Sequence, residues 1–344
     1  MGVAEGGLTD MPVGPMASFT YRAVVISRDD VEAARHRIAG HVRRTPVTVL
    51  EADDLLPGIE VALKLEQLQH TGSFKARGAL NRVLAAAERG ELGPAGVVAA
   101  SGGNAGLAVA YAAAREGVPA RVYVPTTAPA VKVARLRELG AEVVQVGDRY
   151  ALAYEAAVAH AEAVGALFCH AYDQPEICAG QGTLALELHE QLDGNVDTVL
   201  VAVGGGGLMA GVAAALEGRA RIVGVEPSTV PTFAEAVAAG EPVDVPVSGV
   251  AADALGATRL GAIAWAVAGR TGVRSVLVDD ADVVAARRLL WEQHRLVVEH
   301  GAASVVAALL SGAYRPDSGE RVAAVLCGAN TVPNDLTPEG PDRH

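Results

Sequence analysis

The sequence predicts an α/β fold. Short, valine-rich, wholly apolar segments alternate with alanine-rich segments of helical spacing from about residue 95 onward. Glycine-bearing loops sit where such strands hand over to helices. The chain has 344 residues, 51% apolar and 20% charged, which is a globular composition long enough for two packed domains or one large one.

The elements follow in order. Ser27 with Asp30 three residues on reads as a capping box opening a helix to about Ala39. A second helix starts at Lys75 and continues through Leu80 and Leu84. Strands are expected over residues 96–100, 120–125, 142–146 and 166–170, with helices over 105–116, 131–139 and 150–164 between them. Further strands are expected over 198–203, 221–226, 275–278 and 321–326, and helices over 208–216 and 282–296. Strands apolar along their whole length are covered on both faces, the habit of parallel sheets with right-handed crossovers. No short repeat recurs, which excludes a solenoid. No Pro/Gly/Ser-rich linker divides the chain, so two domains would be crossed more than once. The ends, 1–24 and 337–344, are expected to be mobile.

The net charge of −12 repels phosphate backbones and argues against nucleic acid as a partner. No run of about 18 apolar residues could span a bilayer. The N-terminus lacks a basic segment followed by an apolar core, so no secretory signal is expected. The cysteines are Cys169, Cys178 and Cys327, an odd count without CxxC spacing, which speaks against a disulfide framework and a zinc site. A cytoplasmic protein is the expectation. His70, His170 and His189 show no metal-ligand spacing and read as structural. Trp265 and Trp291 read as core or interface residues.

Three loops carry chemistry. In Thr71-Gly-Ser-Phe-Lys-Ala-Arg-Gly78, Lys75 begins a helix, where the positive end of the dipole favours a neutral, nucleophilic amine. Taken alone, it reads equally well as an ordinary solvated lysine. The chain has three lysines, Lys64, Lys75 and Lys132, so any amine chemistry falls to one of them. Ser101-Gly-Gly-Asn-Ala-Gly106 opens a helix after a strand and suits a carboxylate or a phosphate; a capped tight turn is the plain alternative. Gly204, Gly205, Gly206 and Gly207 lie between a strand and a helix. Four consecutive glycines cost backbone entropy, and a phosphate cradle is a reason to keep them. The dinucleotide spacing fails because Met209 or Ala210 stands where a third glycine is needed, and no Gly-Lys-Ser/Thr occurs. A single phosphate fits better than a nucleotide. An aldehyde for the lysine and one phosphate for the cradle together describe pyridoxal 5'-phosphate, with an amino acid bringing the carboxylate.

The residues from Lys64 to Ala79 resemble the lysine motif of the fold type II pyridoxal-phosphate enzymes, in the serine/threonine dehydratase branch that also holds serine racemase. The resemblance continues through Ser101–Gly106, Ala179–Thr183, Gly204–Gly207, Val223–Pro227, Val297–Glu299 and Leu326–Asn330, so it covers roughly residues 28 to 332 in order. It implies a tryptophan synthase β-like architecture with the cofactor between two α/β domains. The large domain would comprise 1–96 and 173–344 and the small inserted one 97–172, in a homodimer. It makes Lys75 the Schiff-base lysine that also moves the α-proton, and Phe74 the residue packed on the cofactor ring. Ser101 and the backbone of Gly102, Gly103, Asn104 and Ala105 would hold the substrate carboxylate, with Asn104 also on the cofactor 3'-oxygen. Gly204 to Gly207 would cradle the phosphate, and Cys327 would face the pyridine nitrogen. A thiol there cannot keep that nitrogen protonated, which weakens the electron sink and suits elimination. The implied activity is dehydration and deamination of L-threonine or L-serine to a 2-oxo acid and ammonia.

This sequence departs from the family pattern in places. Gly102 replaces the serine that serves racemases as a second base. Glu226 matches a cation ligand, but the acidic partner six positions on is Thr232, so no metal is expected. Asp253-Ala254 and Glu299-His300 replace Asp-Gly and Glu-Pro. With Tyr172, these leave a specialised substrate open, such as a hydroxyaspartate or an aryl-serine. Racemisation, β-replacement and a silent amino-acid-binding protein are the other readings; Gly102 argues against the first and the intact Lys75 against the last.

Overall fold

The computed structural model describes residues 25–333 and Leu336; the two ends expected to be mobile lie outside the described residues. The strands are β1 (Val47–Leu50), β2 (Val61–Lys64), β3 (Val97–Ala100), β4 (Ala120–Val124), β5 (Glu142–Gln145), β6 (Leu167–Phe168), β7 (Thr198–Ala202), β8 (Arg221–Pro227), β9 (Arg274–Val278) and β10 (Val322–Val325). The helices are α1 (Arg28–Ile38), α2 (Lys75–Glu88), α3 (Asn104–Glu116), α4 (Ala130–Glu138), α5 (Tyr150–Val164) and α6 (Pro175–Gln191). They continue with α7 (Gly207–Ala215), α8 (Thr232–Ala239), α9 (Ala252–Leu255), α10 (Ala262–Thr271), α11 (Asp280–His294) and α12 (His300–Leu310).

The α/β fold expected from the sequence is the one observed. The strands form two sheets, ordered β1-β2-β10-β7-β8-β9 and β5-β4-β3-β6. All pairings are parallel except that of β1 with β2. Every residue of β2, β3, β7 and β10 is buried, which is why these strands read as apolar runs and not as alternations. The larger core surrounds the six-stranded sheet. A second core lies against the four-stranded sheet and takes Ile38 from α1 and Ala79, Leu80 and Val83 from α2. No helix among the described residues is long and apolar enough to cross a membrane.

Most expected elements are present with shifted ends. The capping box is complete: Ser27 N–H donates to Asp30 Oδ2 at 2.7 Å and Asp30 N–H to Ser27 Oγ at 3.4 Å. The strand expected over 166–170 shrinks to the two residues of β6. Two strands were not expected, β1 and β2; each is four residues long, and β1 is a half-exposed edge strand. The 17-residue α6 was not expected either. Residues Ile177 to Leu188 are buried all round, so α6 lacks the one-sided stripe by which a helix is read.

The segment between β2 and α2 carries a buried ion network. Arg77 is fully buried. Its guanidinium donates to Glu66 (Nε–Oε2 2.9 Å, Nη2–Oε1 2.8 Å) and to Glu187 of α6 (Nη1–Oε1 2.7 Å, Nη2–Oε2 2.9 Å). Lys64, also fully buried, donates to Glu187 at 2.9 Å, to Gln191 at 2.8 Å and to the Thr45 carbonyl at 2.9 Å. Two cations thus meet two carboxylates with their hydrogen-bonding capacity largely filled, the condition under which buried charge is tolerated. Arg77→Met leaves Glu66 without its cation and should cost about 3–5 kcal/mol in urea unfolding. Adding Glu66→Gln should recover part of that loss. An unchanged midpoint in the single variant would show that the network does not anchor α2.

Candidate active site

The three lysines have different surroundings. Lys64 belongs to the ion network, and Lys132 pairs with Asp253. Lys75, the first residue of α2, donates to the Ala171 carbonyl at 2.7 Å and stands 5.1 Å from the centre of the Phe74 ring. Among the described residues it is the one lysine without a carboxylate partner. Its stem keeps some surface, but its ammonium lies deep, and burial lowers its pKa to about 8 against the opposing pull of Cys178, Cys327 and Glu299. Burial is therefore the leading cause, where the sequence pointed to the helix terminus.

Ser101 to Ala105 form the half-buried turn from β3 into α3. Gly103 N–H donates to Ser101 Oγ at 3.2 Å, so that amide is used internally. Among the described residues no protein acceptor meets the amides of Asn104 and Ala105 in the first turn of α3, where such groups point at an anion. The Asn104 side chain is held on both sides. Its Nδ2 donates to both Glu299 oxygens at 2.9 and 3.1 Å, and its Oδ1 accepts from Asn330 Nδ2 at 2.7 Å. Asn330 Nδ2 also donates to the carbonyl of Thr71, a β-branched residue at φ 61, which is strained backbone. Burial raises the Glu299 carboxyl above its ordinary value, partly offset by the Asn104 hydrogen bond. Gly102, Gly103, Asn104, Glu299, Asp253 and Asn330 line one cleft, together with Leu107, Lys132 and Arg135.

The glycine loop runs from β7 into α7. A Cβ on Gly205 would lie 2.3 Å from the Tyr172 ring, one on Gly207 2.6 Å from the Tyr172 carbonyl, and one on Gly204 2.9 Å from the Leu255 carbonyl. Gly206 has φ 84, and a Cβ there would meet Ala264 at 2.5 Å. Close packing thus accounts for all four glycines, where the sequence offered only a phosphate. Among the described residues no protein acceptor meets the amides of Gly205 and Gly206, so the loop also has free donors for an anion. Tyr172 follows Ala171, so adjacent residues touch the glycine loop and Lys75.

Cys327 lies just beyond β10, is 2% exposed, and accepts Phe74 N–H on its carbonyl at 3.0 Å. Burial, and then Glu299, push its thiol upward, so it stays neutral. Cys178 is likewise held neutral by burial, with its Sγ 3.0 Å from the Tyr172 carbonyl. The sequence reading did not single out Glu299, Asn330, Ala171 or Cys178 as site residues. Glu299 and Asn330 lay inside quoted motifs, while Ala171 acts through its backbone and has no side-chain signature.

Comparison with known proteins decides the family. The family model for pyridoxal-phosphate dependent enzymes matches residues 38–328. The chain belongs to that family. It is 35% identical over 309 residues to an L-threonine ammonia-lyase of Thermotoga maritima, covering 89% of this chain and 76% of the relative. It is 37% identical over 304 residues to a phenylserine dehydratase of Ralstonia pickettii, covering 88% and 92%. The solved structure of maize serine racemase superposes with a TM-score of 0.83 at 31% identity, covering 90% of this chain and 94% of that one. The protein is a fold type II pyridoxal-phosphate enzyme of the threonine dehydratase and serine racemase branch, and pyridoxal 5'-phosphate is its cofactor. The amine of Lys75, free of any carboxylate partner, and the free amides of the glycine loop fit an aldehyde and a phosphate.

A pKa near 8 makes Lys75 roughly a quarter neutral at pH 7.5, against about one part in a thousand for an ordinary lysine. The lowered value penalises the protonated form, so the competent amine grows as pH rises through about 8. The rate at which apoenzyme recovers its visible absorbance with added cofactor should rise with a midpoint near pH 8, and Lys75→Arg should recover none. A midpoint above 10 would place Lys75 in water.

Proposed function

We propose that the protein is an ammonia-lyase that removes water from L-threonine or L-serine, giving a 2-oxo acid and ammonia. The observation that carries this reading is Lys75: a deep amine with a lowered pKa and no counter-ion, one residue's width from the glycine loop through Ala171 and Tyr172. The threonine ammonia-lyase and the phenylserine dehydratase among its relatives support a dehydratase reading.

When bound, pyridoxal 5'-phosphate supplies an electron sink for the bond pair released at the substrate α-carbon. Lys75 would hold the cofactor through its aldehyde, and its Nζ is the base for the substrate α-proton. The amides of Asn104 and Ala105 receive the substrate carboxylate at the start of α3, with Ser101, Gly102 and Gly103 shaping the turn. Glu299 and Asn330 fix the Asn104 side chain so that it presents one face to the site. The amides of Gly205 to Gly207, at the start of α7, would hold the phosphate, and the Tyr172 ring packs against the loop. Phe74 packs beside the lysine. Cys327, a neutral thiol, would offer the ring nitrogen no counter-charge, which favours elimination over a long-lived carbanion.

Gly102 offers no base on the face opposite Lys75, so a proton is not returned from that side. A β-hydroxy amino acid with a second carboxylate is a further reading, favoured by Arg135 in the lining of the cleft, where Lys132 is already paired with Asp253.

Purified holoenzyme should release 2-oxobutanoate from L-threonine or pyruvate from L-serine, and Lys75→Ala should lower either rate by about 10²–10⁴-fold or more. Release only from threo-3-hydroxyaspartate would move the assignment to the dicarboxylic reading. A Cβ at Gly102 meets only Val124 Cγ1, at 3.5 Å, so Gly102→Ser is sterically allowed. That variant should raise D-serine formation relative to pyruvate by roughly tenfold, a fraction of what a tuned base supplies. No D-serine from a well-folded variant would mean that Gly102 does not face the α-carbon.

A further inference from the structure

Thr232 and Glu226 are both fully buried behind the glycine loop. Thr232 begins α8, and its hydroxyl lies between the Gly204 carbonyl and Glu226 Oε1, the latter 2.9 Å away. Glu226, near the end of β8, accepts Phe233 N–H at 2.7 Å and Ala234 N–H at 2.9 Å, so it caps the first turn of α8. Among the described residues it has no ion-pair partner. Its oxygens are turned toward the donors of α8, and Thr232 adds no charge.

This arrangement does not fit the cation that the family pattern places at Glu226. A calcium ion takes about six to eight oxygen ligands, and magnesium requires near-octahedral oxygens. Here one carboxylate faces two N–H groups and a hydroxyl, and no group of three or more acidic, histidine or cysteine side chains among the described residues could hold an ion. Thr232 gives its one hydroxyl proton to the Gly204 carbonyl, and Glu226 holds the start of α8 through the N–H groups of Phe233 and Ala234, so the strand end, the helix start and the loop form one unit, as an ion would make them. Gly204 is the point where this unit reaches the loop, and fixing its carbonyl sets the direction of the amides that follow.

We propose that Thr232 and Glu226 are positioning residues for the phosphate loop, an internal strut from α8 to Gly204 that makes cofactor binding independent of a divalent cation. The proposal concerns the cofactor and not the substrate, so failure of the lyase reading would leave it standing.

The test titrates apoenzyme with pyridoxal 5'-phosphate and reads visible absorbance, with thermal midpoints measured in parallel. Thr232→Val keeps the volume and removes the hydroxyl; it should weaken cofactor binding by about tenfold, the loss of one buried hydrogen bond. Thr232→Ser should restore it. Wild-type holoenzyme should show the same cofactor affinity and midpoint in EDTA, magnesium chloride or calcium chloride, a measurement that stands even if Thr232→Val does not fold. Wild-type affinity in Thr232→Val, or a wild-type protein whose affinity or midpoint rises with magnesium or calcium, would overturn the proposal.

Discussion

The place of Lys75 depends on Arg77. Two residues apart on a helix point about 200° away from each other, so Arg77 is buried beneath α2 while Lys75 turns to the Ala171 carbonyl. Arg77 cannot relax without stranding Glu66 and taking from Glu187 one of its two cations, because both carboxylates are buried and both take two of its hydrogen bonds. Glu66 follows β2 and Glu187 lies on α6, so the guanidinium locks the start of α2 to the six-stranded sheet on one side and to a buried helix on the other. A lysine side chain has many rotamers; its base is fixed here by a neighbour that has none to spare.

The segment after β6 does the matching work on the opposite wall. Ala171 meets the amine through its carbonyl and Tyr172 covers the glycine loop. That turn is held from within: His170 Nδ1 accepts the N–H groups of Tyr172 at 3.2 Å and Asp173 at 2.9 Å, and the Asp173 carboxylate caps α10 through Ala262 and Ile263. Burial lowers the His170 pKa to about 4, so the ring remains a neutral acceptor throughout the physiological range. This histidine is structural in the sense the sequence suggested, yet what it supports is the contact between lysine and loop. The glycines then have two reasons to persist, since a side chain at Gly205 or Gly207 would displace Tyr172 before it ever met a ligand.

The fold class was legible because its central strands are buried on both faces and leave unbroken apolar runs, as in Thr198–Ala202. The same burial hid α6, since a helix surrounded by protein shows no polar face, and strands as short as β2 carry too few residues to establish a pattern. At the site, Lys75 and the glycine loops stood out by residue type and position. The parts that depend on backbone or on pairing did not. The Ala171 carbonyl has no letter of its own, and Glu299 gains its meaning only from Asn104, 195 positions earlier in the chain. Arg77 and Glu66 lay in plain view inside the lysine motif, but their sequence separation of 11 says nothing about a third partner at Glu187.

The neutrality of Cys327 bears on the lysine as well as on the ring it is expected to face. Lys75 owes its low pKa to burial; the groups pulling the other way are two thiols and the Glu299 carboxyl, and burial outweighs them. A carboxylate in place of Cys327 would add a charge close to a desolvated amine, where Coulomb attraction is only weakly screened, and would return Lys75 toward its ordinary ammonium state. A site that protonated the ring nitrogen in this way would hold on to the proton that the amine must lose. An uncharged residue just beyond β10 therefore leaves the lowered pKa of the amine in place.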